Sequence, residues 1–564
     1  MSVHDIRVLC AFFVIVIFVV LLGMREKKRR QKALLENIRG RYGHFSDKKA
    51  DVVYLQRLQA MFGAEQKDGT FYVDDITWQD LNMDALYTSM DVCVSDAGKQ
   101  RLYMRLRTPY FTEQEKEIIH NRAGFFDENS SFRESFLMFL SGTASRSKLS
   151  FFEYLDFVKE KVKENDRKGS KNALLCMILF FFALALIFLS TGAGICCMLV
   201  VLSYNIITYY HYRAKYLPYL SGLRYVFSLV HAGNLCRRQL LSDSGEAYGG
   251  LEELHEPLDK MKGFQSKFGF LFSGYDKEGS MAGVFWTYLN MVFHLDIIGF
   301  ECMCRQVEAN EAELRKIYNV IGDAECAIAI GSYRKALGDW CIPVMEGDFF
   351  AENLYHPLLK HPVKNSLKME RSILLTGCNA SGKSTFLRTV AVNMLLAQTI
   401  ATAAADRFAS GYCRIYSSMS LKDNLMEGES YYMAEIKAMK RILDAAEESG
   451  PRVVCFVDEV LRGTNTAERI AASAGILCYL RELGALCMAA THDGELADIL
   501  KDFYDNYHFD EDMQGDDVAF DYKIRKGAAT SRNAILLLEK MGYSDKIVKT
   551  AEEMAERIGY HVKS

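Results

Sequence analysis

The sequence predicts three kinds of structure in one chain: an α/β domain with a phosphate-binding loop, a mostly α-helical region before it, and three transmembrane helices. The α/β domain is indicated by a glycine-rich loop that lies between a short apolar strand and a helix. The transmembrane helices are indicated by two long apolar runs without charged side chains. The helical region is indicated by the scarcity of proline, with seven in 564 residues, because proline interrupts helices.

Composition excludes some classes of protein. With 25% charged and 50% hydrophobic residues the chain is typical of a globular protein, and its net charge of -4 excludes a generally basic nucleic-acid coat. A local basic groove stays open as an alternative. The 15 cysteines form no paired CxxC motifs, which indicates reduced, cytosolic cysteines that bind no metal.

The longest apolar run, Ala173–Tyr210, has 38 residues and no charged side chain. A membrane-spanning helix needs about 20 mostly apolar residues. Ala173–Leu189 and Ala193–Tyr210 each nearly reach that length, and the turn-prone Ser190–Gly192 between them predicts a helical hairpin. A buried helical pair in a soluble protein is the alternative. Basic residues flank both ends and place both on the cytoplasmic side; they are Lys161, Lys163, Arg167, Lys168 and Lys171 before the run, and Arg213, Lys215 and Arg224 after it.

A second apolar run, Val8–Met24, precedes the charged residues Arg25–Arg30. A cleavable signal would have its positive charge before the apolar run, so this order predicts an uncleaved anchor with its N-terminus outside. Three spans would leave residues 25–172 and 211–564 on the cytoplasmic side, as parts of an integral membrane protein.

A third apolar segment, Met281–Phe300, contains His294 and Asp296. Ionisable side chains are costly in hydrocarbon. We therefore predict a single core helix here rather than another transmembrane span.

The glycine-rich loop follows the predicted strand Ser372–Thr376 and precedes a helix. It has the pattern GxxxxGK(S/T), in which backbone N–H groups surround phosphate oxygens and the helix N-terminus adds partial positive charge. We expect Lys383 to reach the β- and γ-phosphates and Ser384 to bind Mg²⁺. The predicted nucleotide-binding residues of the loop are Gly377, Cys378, Asn379, Ala380, Ser381, Gly382, Lys383, Ser384 and Thr385.

Two further predicted strands end in polar residues. Val453–Val457 leads into Asp458 and Glu459, and we expect this strand to lie next to the strand of the loop, so that Asp458 binds Mg²⁺ and Glu459 polarises the attacking water. The strand "LCMAA" ends at Thr491 and His492. A lone histidine here would be structural, but in this order of motifs we predict that His492 senses the γ-phosphate. Together these residues predict ATP hydrolysis with ATP and Mg²⁺ as cofactors.

The motifs "TGCNASGKSTFLRTV", "FVDEVLRGTNT" and "ATHD" resemble the ATPase domain of the MutS DNA mismatch-repair family, which is related to ABC ATPases. "GESYYMAEI" (Gly428–Ile436) resembles the family's signature segment, and the resemblance implies that Ser430 reaches the partner subunit's γ-phosphate in a homodimer formed through the ATPase domains. It also implies that His508 in "NYHFDE" contacts the base.

Further segments resemble the family in the same order. "LYHPLL" and Asn365 resemble the segment before the loop, and Tyr522–Gly542 resembles the tail that packs the two ATPase domains together. Ile321–Pro343 resembles the lever helix, and Asp80–Pro109 resembles the start of the helical core. The implied domains are an anchor (1–24), a helical core and lever (25–343) interrupted by the hairpin (173–210), and an ATPase domain (344–564).

The sequence also departs from the family. No segment before the core resembles the mismatch-reading domain, and "FGAE" at Phe62 is interpreted as a chance match. The connector domain has no room, and Tyr216–Phe300 is too short for a lever together with a DNA clamp. The aromatic residue that stacks on adenine falls near Pro362 and is lost. Cys378 stands where the family has a proline. This cysteine would either make the loop sensitive to redox conditions or only pack against the strand.

Three functional hypotheses follow. The first is a membrane-anchored MutS-family ATPase that acts as an ATP-dependent dimer on DNA, without the mismatch-reading domain. The second is a membrane mechanochemical ATPase with no DNA role, and the third is a nucleotide-gated scaffold, which the pair Asp458 and Glu459 disfavours. The basic stretches Arg25–Lys32 and Lys159–Lys171 do not separate them, because basic residues beside spans also contact the lipid bilayer.

Overall fold

The computed structural model describes residues 25–26, 28–48, 51–141, 151–163, 168–240, 251–273, 281–377, 381–419, 431–461, 465–514, 517–528 and 542–557. The chain forms two compact units. A helical unit comprises Met1–Tyr42, Val92–Leu102 and Arg122–Ala329, and a sheet unit comprises Gly43–Asp91, Tyr103–Asn121 and Ile330–Ser564. The predicted boundary between the helical core and the ATPase domain lies between residues 343 and 344. The sheet unit differs from that prediction because it also includes Gly43–Asp91 and Tyr103–Asn121.

Helices make up most of the described chain. They are α1 (28–41), α2 (Val52–Glu65), α3 (Asp75–Asp80), α4 (Met83–Met90), α5 (Asp96–Arg107), α6 (Glu113–Glu128), α7 (Ser130–Leu140), α8 (Phe151–Lys163), α9 (Lys168–Leu189), α10 (Thr191–Leu240), α11 (His255–Lys260), α12 (Phe264–Ser273), α13 (Met281–Phe293), α14 (Leu295–Ala309), α15 (Glu311–Leu337), α16 (Lys383–Ile400), α17 (Tyr431–Glu447), α18 (Thr466–Glu482), α19 (Gly494–Leu500) and α20 (Asp545–Arg557). The strands are β1 (Phe349–Leu354), β2 (Asn365–Met369), β3 (Ile373–Thr376), β4 (Arg407–Ala409), β5 (Cys413–Ser418), β6 (Arg452–Asp458), β7 (Leu486–Ala490), β8 (Asp505–Gln514) and β9 (Asp517–Lys526).

The core of the helical unit holds one buried carboxylate at the N-terminus of α5. Glu325 on α15 is 1% exposed and accepts hydrogen bonds from the amides of Val94 and Ser95 and from the Ser95 hydroxyl. The Ser95 hydroxyl in turn accepts from the Gly98 amide at 3.1 Å. A carboxylate is stabilised at a helix N-terminus by these unpaired amides and by the helix dipole, so α5 and α15 are fixed against each other.

The predicted apolar hairpin is formed by α9 and α10, and only Ser190 between them is not helical. Gly194 permits this tight connection, because a Cβ there would lie 2.5 Å from the backbone of Ile187. Within the described residues two segments are long and apolar enough to cross a membrane, Gly169–Leu189 and Thr191–Tyr216, and only 17% of an apolar 18-residue stretch in each is buried. The run Val8–Met24 lies outside the described residues.

The single helix predicted over Met281–Phe300 is wrong, because the segment forms two helices that meet at His294. His294 has a left-handed backbone (φ +53°) and its Nε2 lies 3.3 Å from the hydroxyl of Thr208 on α10. The Phe293 ring packs against Phe180 on α9, with 5.2 Å between ring centroids. These contacts with the hairpin fix the break, and short-range sequence pattern carries no signal for it.

The sheet unit contains a six-stranded sheet in the order β5-β6-β7-β3-β8-β9, in which only the β8–β9 pair is antiparallel. A smaller antiparallel sheet has the order β2-β1-β4. The prediction that β6 lies next to β3 is wrong, because β7 lies between them and pairs with both. All four residues of β3 are buried, as expected for a central parallel strand covered on both faces.

We predict that Gly322→Ala destabilises the helical unit. A Cβ at Gly322 on α15 would lie 2.8 Å from the carbonyl oxygen of Ala97 on α5, so one of the helices has to shift, at a cost of about 1–3 kcal/mol. Gly124→Ala on α6 is the control, because nothing lies within 4 Å of its Cβ position and alanine gains up to about 1 kcal/mol of helix propensity there. Thermal unfolding followed by circular dichroism measures both; equal shifts would contradict the close approach.

Candidate nucleotide-binding site

The glycine-rich loop is shaped by two glycines with positive φ, where another residue would have a strained backbone and a crowded Cβ. Gly377 follows β3 with φ +134°, and a Cβ there would lie 3.2 Å from the Phe509 carbonyl oxygen. Gly382 precedes α16 with φ +102°, and a Cβ there would lie 3.0 Å from the Tyr522 ring. Cys378, Asn379 and Ala380 lie outside the described residues. The observed strand and helix flank the loop as predicted.

A cavity of about 690 Å³ opens above the N-terminus of α16. Lys383 is only 5% exposed, and its Nζ donates to the Gly377 carbonyl at 2.6 Å and lies 3.5 Å from His492 Nδ1. The hydroxyl of Ser381 is buried without a hydrogen-bond partner. A buried polar atom of this kind needs a partner, and a phosphate oxygen bound by the loop would supply one.

Acidic and imidazole side chains come from the strand ends beside the loop. Asp458 ends β6, and Glu459 has a left-handed backbone (φ +59°) that its amide stabilises by donating to the Ala490 carbonyl at 2.9 Å. Glu459 Oε1 lies 2.6 Å from His492 Nε2, and His492 Nδ1 lies 3.2 Å from the Gly377 carbonyl oxygen. His492 thus connects Glu459 to the loop. The left-handed backbone of Glu459 is strained for a residue other than glycine, and such strain persists where the surrounding structure enforces it.

The residues present fit Mg²⁺ only in combination with a nucleotide. The Asp458 carboxylate and Ser384 both line the cavity, and Mg²⁺ prefers such oxygen ligands. Across the described parts of the chain, no group of three or more His, Cys, Asp or Glu side chains could hold a metal ion. Phosphate oxygens would therefore have to complete the coordination.

A buried imidazole forms another part of the cavity wall. His356 is 9% exposed, and burial together with the nearby Arg388 guanidinium lowers the pKa of His356 to about 4. Its Nδ1 accepts a hydrogen bond from the Leu358 amide at 3.3 Å, which requires an unprotonated nitrogen. His356 is therefore neutral at physiological pH.

The structure brings most of the predicted site residues together. The cavity is lined by Gly382, Lys383, Ser384, Thr385, Asp458, Glu459 and His492. Gly377 contacts Lys383 and His492 through its carbonyl oxygen, and Ser430 lies outside the described residues. The structure does not bring His508 into this lining; its Nδ1 lies 2.9 Å from the Gly527 carbonyl and its Nε2 lies 3.0 Å from Asp510. The predicted base contact of His508 stays a prediction.

Sequence reasoning missed the connection that holds Tyr522 over the loop. Asn365 Nδ2 donates to the Tyr522 carbonyl at 2.9 Å, and its Oδ1 accepts from the Ile524 amide at 3.0 Å. Tyr522 has a left-handed backbone (φ +53°) and lines the cavity with a 43% exposed side chain. It also did not predict that His356, Arg388 and Met419 line the cavity, although His356 and Arg388 lie within two of the quoted motifs. Nothing in the local sequence indicates that these side chains reach the same cavity.

The comparison with known families agrees with this geometry. Residues 373–559 match MutS domain V, so the match begins at β3 and includes the loop, Asp458, Glu459 and His492. The α/β part of the chain is similar to MutS domain V. A mostly helical chain that includes an α/β sheet region is consistent with the similarity to MutS domain V.

Curated relatives show the same similarity over part of their length. The DNA mismatch repair protein MutS of Natronomonas pharaonis is 30% identical over 267 residues, covering 45% of this chain and 31% of the relative. The DNA mismatch repair protein MutS 2 of Halobacterium salinarum is 32% identical over 236 residues, covering 39% and 27%. MutS of Thermotoga petrophila is 28% identical over 269 residues, covering 46% and 33%. The chain thus spans about a third of the length of these relatives or less.

We predict that stability falls between about pH 6.5 and about pH 4 because of His356. The unfolded chain protonates His356 below its ordinary pKa of 6.5, whereas the folded protein keeps it neutral to about pH 4. The free energy of unfolding therefore decreases by up to about 3 kcal/mol as pH falls through this range. His356→Gln should make this decrease shallower in urea unfolding at several pH values. The same substitution at the exposed His44 should not; equal slopes would contradict the assignment.

Proposed function

We propose that the protein is a membrane-anchored ATP hydrolase of the MutS family that acts on DNA as an ATP-dependent homodimer. The observation that carries the catalytic part is that the loop lysine, the carboxylate pair and the histidine, which lie far apart in the sequence, line one cavity. The similarity to MutS domain V supports the same reaction.

The proposed reaction is attack of water on the γ-phosphate of ATP. Glu459 orients this water or accepts its proton, and the Lys383 ammonium stabilises the charge that develops on the phosphate oxygens. Mg²⁺, held by Ser384 and Asp458, would neutralise charge on the bound phosphates. Lys383 has to exchange its 2.6 Å contact with the Gly377 carbonyl for the phosphate, and His492 is placed to follow that exchange because it contacts both partners.

The membrane part of the proposal is supported by the hairpin of α9 and α10. A core helix of a soluble protein is mostly buried, whereas only 17% of an apolar 18-residue stretch in each segment is buried here. Its large exposed apolar side chains include Leu174, Leu175, Ile178, Phe181, Phe182, Phe188, Leu189, Ile195, Leu199, Val200 and Ile207. An apolar surface of this extent indicates a membrane or a partner. With the uncleaved anchor Val8–Met24, the ATP site would lie on the cytoplasmic side.

A DNA role is supported by the relatives, which are named as DNA mismatch repair proteins. The alternative, a mechanochemical ATPase without DNA, is favoured by the length of α10. This helix has 50 residues, about 75 Å, and runs from the apolar segment to Leu223, Val226 and Leu229, which are buried in the core of the helical unit. A rigid helix of this kind can transmit movement between the bilayer and the helical core.

We predict that Glu459→Gln keeps ATP binding and abolishes steady-state hydrolysis, with a loss of at least about 100-fold in kcat, because the amide cannot accept the proton of the attacking water. Lys383→Ala should instead weaken nucleotide binding itself. Glu482→Gln, at an exposed position of α18, is the control and should match the unaltered protein. Phosphate release and fluorescent-nucleotide titration measure the two effects. Rapid turnover by Glu459→Gln would exclude the assigned role.

We predict that either membrane segment holds the protein in the bilayer by itself. Replacing Ala173–Tyr210 with a short Gly/Ser linker should leave the protein in the membrane through Val8–Met24, and deleting residues 1–24 should leave it there through the hairpin. Only the combined variant should be released by alkaline carbonate. Complete release after the first replacement alone would contradict the three-span topology.

A further inference from the structure

One buried carboxylate from the N-terminal part of the chain holds the end of β5 in the sheet unit. Asp80, the last residue of α3, is 3% exposed. Its Oδ2 accepts hydrogen bonds from the Ser417 hydroxyl at 2.7 Å and from the Met419 amide at 2.9 Å. Thr77, on the same helix, accepts from the Ser417 amide at 3.1 Å. The polar groups at the end of β5 are thus bound by α3.

Two other contacts strengthen this attachment. Arg441 on α17 donates to the Ser417 carbonyl at 2.5 Å and pairs with Asp74, whose carboxylate caps α3 by accepting from the Thr77 amide at 2.8 Å. Ser417 and Thr77 are both fully buried. Hydrogen bonds in such a buried network are costly to remove one partner at a time, because the remaining partner stays buried and loses a hydrogen bond that compensated for its burial.

Asp80 also contacts residues that line the nucleotide site. Its backbone carbonyl accepts a hydrogen bond from Arg388 Nε on α16 at 2.9 Å, across a sequence separation of 308 residues. Arg388 and Met419 both line the 690 Å³ cavity. Asp80 therefore contacts two residues of the cavity wall, one through its backbone and one through its side chain.

We propose that Asp80 is a positioning residue of the nucleotide site. Its carboxylate fixes Met419 and the end of β5 relative to the helix that follows the glycine-rich loop, so that efficient hydrolysis requires α3. This inference rests on the proposed ATP hydrolysis. On this proposal the segment Gly43–Asp91, which contains α3, supports the geometry of the nucleotide site.

The expected defect lies in turnover rather than in nucleotide binding. A side-chain substitution at Asp80 leaves the carbonyl that Arg388 uses, and it leaves the glycine-rich loop and Lys383 untouched. It removes the carboxylate oxygen that accepts hydrogen bonds from Ser417 and Met419. The phosphate contacts thus persist while one wall of the cavity loses its fixed position, and small misplacements around a reacting group reduce rate strongly.

The test compares Asp80→Ala with Asp80→Asn in the full chain in lipid nanodiscs, by steady-state ATP hydrolysis. Asp80→Ala should lower kcat by about 10-fold or more and change KM for ATP by less than about 3-fold. Asp80→Asn, whose amide oxygen can still accept both hydrogen bonds, should recover kcat to within about 3-fold. Asp91→Ala is the matched control, because Asp91 is also buried in this segment but pairs with Lys48 at 2.7 Å and does not line the cavity.

Three outcomes would overturn the inference: an unchanged kcat in Asp80→Ala, a loss confined to KM, or an equal loss in Asp91→Ala. If Asp80→Ala does not fold, as judged by thermal unfolding, Ser417→Ala decides, since it removes one donor and should lower kcat by about 3-fold or more with KM unchanged. A normal kcat there would overturn the inference as well. Absence of hydrolysis in the unaltered protein would instead contradict the proposed function itself.

Discussion

The parallel pairing of β7 with both β3 and β6 is the constraint on which the candidate site depends. Carboxyl ends of parallel strands meet at one edge of a sheet, which is where α/β proteins bind ligands. Here Leu375 pairs with Ala490 and Ala490 with Asp458, so the residues after three strands are brought to the same edge. The loop, the carboxylate pair and His492 therefore form one site, and the left-handed backbone of Glu459 is held by the same strand end through Ala490.

Much of this site could be predicted from the sequence, because its chemistry is local to short motifs. The loop, the strand before it and the helix after it follow from glycine and lysine spacing, and the apolar strands ending in Asp458 and His492 are equally local signals. The order of the strands could not be predicted in this way. The position of β7 between β3 and β6 depends on pairings between distant segments. A hydrophobic pattern carries no information about which strands pair.

The supporting residues were the least predictable. Asn365 binds the backbone of β9 from 157 residues away, and Asp80 binds Arg388 from 308 residues away. Single polar residues at such separations have no spacing rule that marks them. The break at His294 was missed for a related reason: a left-handed non-glycine residue is set by contacts with α10, whereas its own sequence context, apolar and without glycine or proline at the break, is typical of a continuous helix. The apolar hairpin was predictable because its length and lack of charge are themselves the signal.

The most direct test is the steady-state ATPase rate of the full chain in lipid nanodiscs, titrated with homoduplex, mismatched and branched DNA at two salt concentrations. The Glu459→Gln variant defines the background. We predict hydrolysis that depends on Glu459 and is stimulated by DNA, more strongly at low salt because phosphate contacts release counterions. A Glu459-dependent rate that no DNA changes would contradict the DNA role and favour the mechanochemical alternative, and a rate no higher than the background would contradict the assignment of the site.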